Sequence, residues 1–338
     1  VNLPTAILTV RWLVYDTFRQ SLASRLFWVM LVASGVCIAV CFSVGIEGGL
    51  APKTTDEPRE YLPPSEAARE AARAKPGVPQ DQLDVTGGKL TLGFGLIKDI
   101  PLARDRSDPV RFLQVWLAGF VADTAGILLA LIWTAGFLPT FLEPAAVSVL
   151  LAKPVPRWSL LAGKYLGVLA FVLFQAVVFV GGTWLALGVR TGVWEPAYLL
   201  CVPMLLIHFA VFFSFSALLA VVTRNAAACV IGTLFFWMVC WGLNYGRHAA
   251  ALGFGGEALT PVGSWVLEAG YWLLPKPWDL NALVFRGIEA DNFFGRLIEL
   301  DRLADRGAFH PALSVLASLG FAVAALALAG YEFETTDY

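Results

Sequence analysis

Charge is what this sequence has least of. Only 15% of its 338 residues are Asp, Glu, Lys or Arg, while 58% are hydrophobic and the mean hydropathy is +0.69. Soluble domains carry about 25% charged and about 45–50% apolar residues, so this balance excludes an ordinary soluble globule and points to an integral membrane chain. A basic excess is also missing. The net charge is −2, and with neither a global positive field nor a nucleic-acid-binding module, nucleic acid is excluded as a partner. Histidine is scarce: His208, His248 and His310 are scattered without ligand spacing, so no metal site is expected. The five cysteines (Cys37, Cys41, Cys201, Cys229, Cys240) lie in apolar runs with no CxxC pair and read as small buried hydrophobes.

Nucleotide chemistry is missing as well. The nearest approach to a phosphate-binding loop is Gly163-Lys164, but Trp158 stands where the first glycine belongs and Tyr165 where Ser or Thr belongs. No HExxH, GxSxG or catalytic dyad supports an intramembrane enzyme. The chain is therefore expected to catalyse no reaction and to bind no cofactor of its own.

What is present is length of apolar run. A spanning helix needs about 20 mostly apolar residues, and six segments qualify: 27–46, 115–138, 161–187, 198–222, 226–246 and 312–331. The expected fold is all-α and polytopic. Residues 1–26 have Ile7, Val10, Val14 and Phe18 at helical spacing, with Thr9, Asp16, Gln20 and Ser24 over the other side, and read as an amphipathic interfacial helix. Short-loop cations set the sides. Arg11, Arg19, Arg25, Lys153, Arg157, Lys164 and Arg224 fall on one side and only Arg190 on the other, so both termini, including the acidic tail 332–338, are expected in the cytoplasm. Residues 47–112 then form an extracytoplasmic insertion, with a short helix at 65–74 and a strand or hairpin at 89–97. Residues 247–311 face the same way. Their cluster SWVLEAGYWLLPKPW suits a pair of interfacial or re-entrant helices, with Trp265, Tyr271, Trp272 and Trp278 at the membrane–water boundary.

The stretch FLEPAAVSVLLAKPVPRWSLLAGKYLG (141–167) interrupts this pattern. Apolar character runs from Val115 to Ala152, about 57 Å as one helix and nearly twice a hydrocarbon core of about 30 Å. Pro139 and the Glu143-Pro144 pair break it, because Pro suits a first helical turn and disfavours a helical residue before it. A second helix is expected to start at Pro144, with Glu143 complementing its dipole, and to stop by Lys153-Pro154. At about 13 Å it cannot cross a bilayer, so Val149, Leu150 and their apolar neighbours need another surface, either the lipid interface or a partner protein. Lys153 and Arg157 would anchor its end against anionic headgroups or acidic partner residues.

A glutamate closing the second span, a short apolar helix ending LLAKPVPR, and LLAGKYLG opening the third resemble permease subunits of type-2 ABC exporters. The likeness is to the group labelled multi-copper-enzyme maturation permeases, including the membrane subunit of the nitrous-oxide-reductase maturation transporter. The resemblance implies a coupling helix at 143–157 that inserts into a cytoplasmic ABC ATPase subunit, with ATP-Mg bound by that partner. Glu143, Pro154, Arg157, Gly163 and Lys164 match the motif and are expected to shape or orient the coupling element. It further implies a bacterial inner-membrane location and a dimer, with itself or a related permease, because six spans are few for a complete pathway. The alternative function is a membrane scaffold or assembly factor that binds an extracytoplasmic partner through 47–112 and 247–311 without transport.

Three polar residues inside spans are candidates by default. Asp123 either lines a translocation path, pairs with Arg247 or His248, bonds between helices for assembly, or is solvated near the rim. His208 reads as a neutral packed histidine or a proton relay. Asn244 reads as a capping or rim contact near the outer end of its span.

Overall fold

The computed structural model describes residues 3–47, 89–101, 107–142, 156–253, 260–287, 302–303 and 305–336. Two helices open the chain: α1 (Leu3–Ala23) and α2 (Arg25–Phe42), separated by Ser24 in extended backbone. After β1 (Gly45–Glu47), β2 (Lys89–Leu92) and β3 (Ile97–Pro101) comes a segmented second span. It comprises α3 (Ser107–Val115), a π-helical stretch (Trp116–Gly126), α4 (Ile127–Thr134) and α5 (Phe137–Phe141). The remaining α-helices among the described residues are α6 (Arg157–Thr191), α7 (Cys201–Thr223), α8 (Ala226–Leu252), α9 (Pro261–Leu273), α10 (Pro277–Gly287) and α11 (Pro311–Thr335), with a 3-10 turn at Pro196–Leu200 leading into α7. Among the described residues, six helical stretches are long and apolar enough to cross a membrane: Arg25–Phe42, Pro109–Phe141, Arg157–Thr191, Pro196–Thr223, Ala226–Leu252 and Pro311–Thr335.

Local chemistry sets the boundaries. Gly192, at φ 71°, closes α6 in the left-handed region open to a residue without Cβ. Asn225 caps α8, its side chain accepting from the amides of Ala227 and Ala228, and lets α7 turn into α8 within two residues. The strands pair antiparallel in the order β1-β2-β3. Thr91 donates its hydroxyl to the Gly45 carbonyl within the sheet, and the Phe94 amide donates to the carbonyl of Ser43, which ties the sheet to the end of α2.

α7 is the central span, packed against α6, α8 and α11, with Phe209, Phe212, Phe213, Ser214 and Ser216 all buried. α6 is the longest element. Its 35 residues make it about 52 Å, well beyond a hydrocarbon core of about 30 Å. α1 packs beside its first half and α2 beside its second. Leu13 and Val10 sit at Gly163, Thr17 at Gly167, Phe18 at Phe171 and Phe174, and Ile38 at Gly182.

The buried stripe of α1 differs from the sequence expectation. Leu13, Thr17 and Ser21 are buried, whereas Ile7 is 62% exposed. The cause is close approach. A Cβ on Gly163 would stand 2.7 Å from Leu13 Cδ1, and one on Gly167 2.7 Å from Thr17 Cβ. Leu13 therefore faces Gly163 and Thr17 faces Gly167, a close approach like that of helix pairs packed in lipid, and Ile7, Leu8, Trp12 and Tyr15 are left on the exposed face.

Candidate functional site

The site begins with a wide helical turn. In the π-helical stretch the backbone bonds reach one residue further than in an α-helix, a feature concentrated at functional positions. Gly119 lies within it, and a Cβ there would stand 2.5 Å from the Phe285 ring of α10. Its absence lets α10 approach until Asn281 Nδ2 donates to the Gly119 carbonyl at 3.1 Å and to Asp123 Oδ2 at 2.6 Å. From the other side His208 of α7 places Nδ1 2.6 Å from Asp123 Oδ1. Asp123 and His208 are both essentially buried.

A carboxylate only accepts, so His208 Nδ1 carries the hydrogen and donates it to Asp123. An isolated carboxylate at a helix centre costs about 2.5–3.5 kcal/mol to insert, and two donors on two different elements offset that cost here. Nε2 of His208 meets no partner among the described residues. Next to it is a cavity of about 200 Å³, lined among others by Gly119, Asp123, His208, Trp237, Trp241 and Asn281.

The expected partners of Asp123 are corrected by this geometry. Arg247 pairs with Glu268 at 2.7 Å, and His248 places Nε2 2.6 Å from Asp279. Of the two readings of Asn244 the rim contact fails, because the residue is buried, and capping describes what it does. Its carbonyl oxygen accepts from the amides of Trp278 and Asp279, capping the start of α10, and its Nδ2 donates to Asp279 Oδ1 at 3.0 Å. The physical reason is that α9 and α10 fold back over the end of α8 and cover it.

Asp279 is the centre of this second cluster. Besides Asn244 and His248, it accepts from the Tyr271 hydroxyl at 2.8 Å and from Ser314 of α11. Burial pushes its pKa up, but the His248, Ser314 and Asn244 bonds outweigh burial and hold the carboxyl below its ordinary value. Arg247 lies 3.9 Å from the Tyr271 ring centre, and its bond lowers the pKa of Glu268. Lys276 is fully buried, with Nζ 4.8 Å over the same ring, and burial lowers its pKa. α10 thus carries two polar contacts to two clusters, Asp279 to α8, α9 and α11, and Asn281 to the π-helical stretch.

Three of the residues matched to the coupling motif open α6, and the structure turns them inward. Arg157 donates to the carbonyls of Phe333, Glu334 and Thr336 at the end of α11, the last at 2.9 Å. Gly163 receives α1, and buried Lys164 donates to Gln20 Oε1 of α1 at 2.6 Å, with its Nζ 5.7 Å over the Phe141 ring. Glu143, Val149, Leu150, Lys153 and Pro154 lie outside the described residues, as does the expected short helix from Pro144.

Sequence reasoning did not single out Asp279, Asn281 or Lys276. The available signal was the hexapeptide KPWDLN (276–281), which sets a cation, an acid and an amide inside an otherwise apolar run. Only its aromatic residue was legible as an interfacial anchor.

A search of curated proteins found no significant match. A scan against protein-family models matched residues 12–338 to the ABC-2 family transporter protein. In that family ATP hydrolysis lies in a separate ATPase subunit, and the six apolar spans and lack of a phosphate-binding loop agree with it. With a match over nearly the whole length, the chain belongs to the ABC-2 transporter family and is a multi-pass membrane subunit of an ABC transporter.

Proposed function

We propose that the segment 143–157 is the coupling element on which a cytoplasmic ATPase docks, and that α6 carries its movement into the spans. The observation that supports this most is the double hold at the start of α6. Arg157 grips the last carbonyls of α11, and Lys164 with Gly163 grips α1. A displacement at residue 156 therefore reaches both ends of the chain without crossing a flexible joint. In this reading ATP-Mg binds the partner ATPase and both termini are cytoplasmic. The host membrane is the bacterial inner membrane, and two copies, or one copy and a related permease, form the pathway. The motif at 143–167 supports a place in the multi-copper-enzyme maturation branch.

Co-purification with the ATPase tests the docking. Val149→Asp and Leu150→Asp place a charge on the expected apolar face, and each is expected to reduce recovered ATPase at least about tenfold, the equivalent of about 1.4 kcal/mol. Full recovery with both variants rejects the docking role. The sidedness is tested separately. A small tag inserted beside Lys75 is expected to react with a membrane-impermeant label on intact cells, and labelling confined to lysed cells reverses the topology.

A further inference from the structure

The turn between β2 and β3 is apolar and stands clear of the protein. From Leu90 to Ile97 the sequence LTLGFGLI holds no charge. Phe94 is 72% exposed, Leu96 90% and Ile97 55%. The base of the sheet is anchored instead: Val44 and Ile46 are buried in the core shared with the spans, and Leu90 and Leu92 pack against it. Gly93, Phe94 and Gly95 all have positive φ, at 63°, 57° and 94°. Glycine enters that region freely, whereas a bulky side chain does so only under strain. The turn thus holds an aromatic ring outward on a strained backbone.

α2 sets the depth of this turn. Its 18 residues make about 27 Å, close to a hydrocarbon core of about 30 Å, so Ser43, just past its end, lies at the edge of the hydrocarbon. The Phe94 amide donates to the Ser43 carbonyl at 3.3 Å and holds the turn at that level. A lipid-facing stripe on α2 leads up to it, with Val32, Val36 and Val40 all exposed at one-turn spacing. The turn also suits a place with little water, because the Leu96 amide is bonded to the Gly93 carbonyl at 3.2 Å and the Phe94 amide to Ser43. We propose that this turn is a lipid-inserted tip, with Phe94, Leu96 and Ile97 entering the boundary between headgroups and acyl chains at the C-terminal end of α2. Phe and Leu of interfacial helices occupy the same boundary. The partner is the acyl region itself, which matches a segment without charge, and no particular headgroup is required. The sheet is then held at two points, through Ser43 to α2 and through its tip to the bilayer. Neither ATPase docking nor the side of the membrane enters this inference.

Spin labelling of the full chain in phosphatidylcholine vesicles tests the tip. Leu96→Cys takes a nitroxide at a side chain that packs against almost nothing, so the fold is not at risk. Signal from the equally treated parent, four of whose cysteines are buried and the fifth half-buried, is subtracted. Power saturation then compares collisions with oxygen, which concentrates in hydrocarbon, and with a neutral nickel chelate, which stays in water. Val36→Cys on the exposed flank of α2 is the lipid reference, and Lys89→Cys, exposed at the far end of β2, is the water reference. The oxygen-to-nickel ratio at position 96 is expected to resemble that at Val36 and to exceed that at Lys89 at least about tenfold, since polar solutes are strongly excluded from hydrocarbon. Phe94→Asn keeps a residue that tolerates the left-handed turn and withdraws the ring, and the ratio at position 96 is expected to fall toward the Lys89 value. Three results overturn the proposal. Ready collision with both reagents places the tip in water, weak collision with both places it against protein, such as a second copy, and an unchanged ratio in Phe94→Asn shows that the ring does not hold it in lipid. Should Phe94→Asn not fold, the ratio at position 96 in the otherwise unmodified chain decides.

Discussion

Replacing Asp279 by alanine is expected to lower the stability of the folded chain by about 3–5 kcal/mol, the range for removing one partner from a buried charged network. The carboxylate is fully buried and accepts from Asn244, His248, Tyr271 and Ser314 on three separate helices. Without it, four polar groups stay buried and lose an acceptor, and each such loss costs about 1–3 kcal/mol before relaxation. Lys276, whose pKa burial lowers, also loses the Asp279 charge that partly offsets that shift. Reversible unfolding in mixed micelles measures the loss. Ser314→Ala, which removes a single donor, is expected to cost only about 1 kcal/mol, and a similar cost for Asp279→Ala would show that the network carries little energy.

The same residue gives a pH dependence whose sign follows from its shift. The folded-state pKa of Asp279 lies below the ordinary aspartate value of 3.8. Its charge-dependent stabilisation is therefore fully present above that value and is lost as pH falls through the folded-state value. The stability gap between the unmodified chain and Asp279→Asn is expected to stay level from about pH 5 to pH 8 and to close only in strong acid. A gap that closes near neutral pH would mean the carboxyl is not held ionised.

The six spans and the membrane class were legible because hydropathy over about 20 residues depends on composition and hardly on partners. The span edges grew: 161–187 became Arg157–Thr191, since Arg157 and Arg190 sit on helical turns that extend past the apolar run. The polar clusters were legible only as isolated candidates. Asp123 lies 85 residues from His208 and 158 from Asn281, and nothing local to any of them encodes the pairing. Asn244 and His248, one helical turn apart, shared a partner that only the fold-back of α9 and α10 supplied. Glycine was read too lightly. Gly119, Gly163 and Gly167 look like ordinary small residues in apolar helices, yet each marks where another helix presses against backbone. A periodicity in hydrophobicity does not show this, because what is selected is the absence of volume.

Gly167→Leu is expected to separate α1 from α6 and to abolish stimulation of the partner ATPase while leaving ATPase binding intact. The first added carbon already stands 2.7 Å from Thr17 Cβ and 2.8 Å from Thr17 Oγ1, and the isobutyl group needs room for three more. Thr17 is buried, and the nearest atom is its Cβ, which no side-chain rotamer moves, so relief requires its backbone to shift. Overpacking of this kind costs about 1–3 kcal/mol, and the cheapest relief is a shift of α1, whose other face is exposed. That shift would break Lys164–Gln20, leaving a buried ammonium without its acceptor. Cysteines at Gln20 and Lys164, oxidised to a disulfide, report the contact directly: cross-linking is expected to fall sharply in the Gly167→Leu background. Gly181→Leu, where an added Cβ meets nothing within 4 Å, is the matched control on the same helix and is expected to preserve both cross-linking and stimulation. If Gly167→Leu loses the cross-link but keeps full ATPase stimulation, α1 is a passive brace and force reaches the spans through α6 alone.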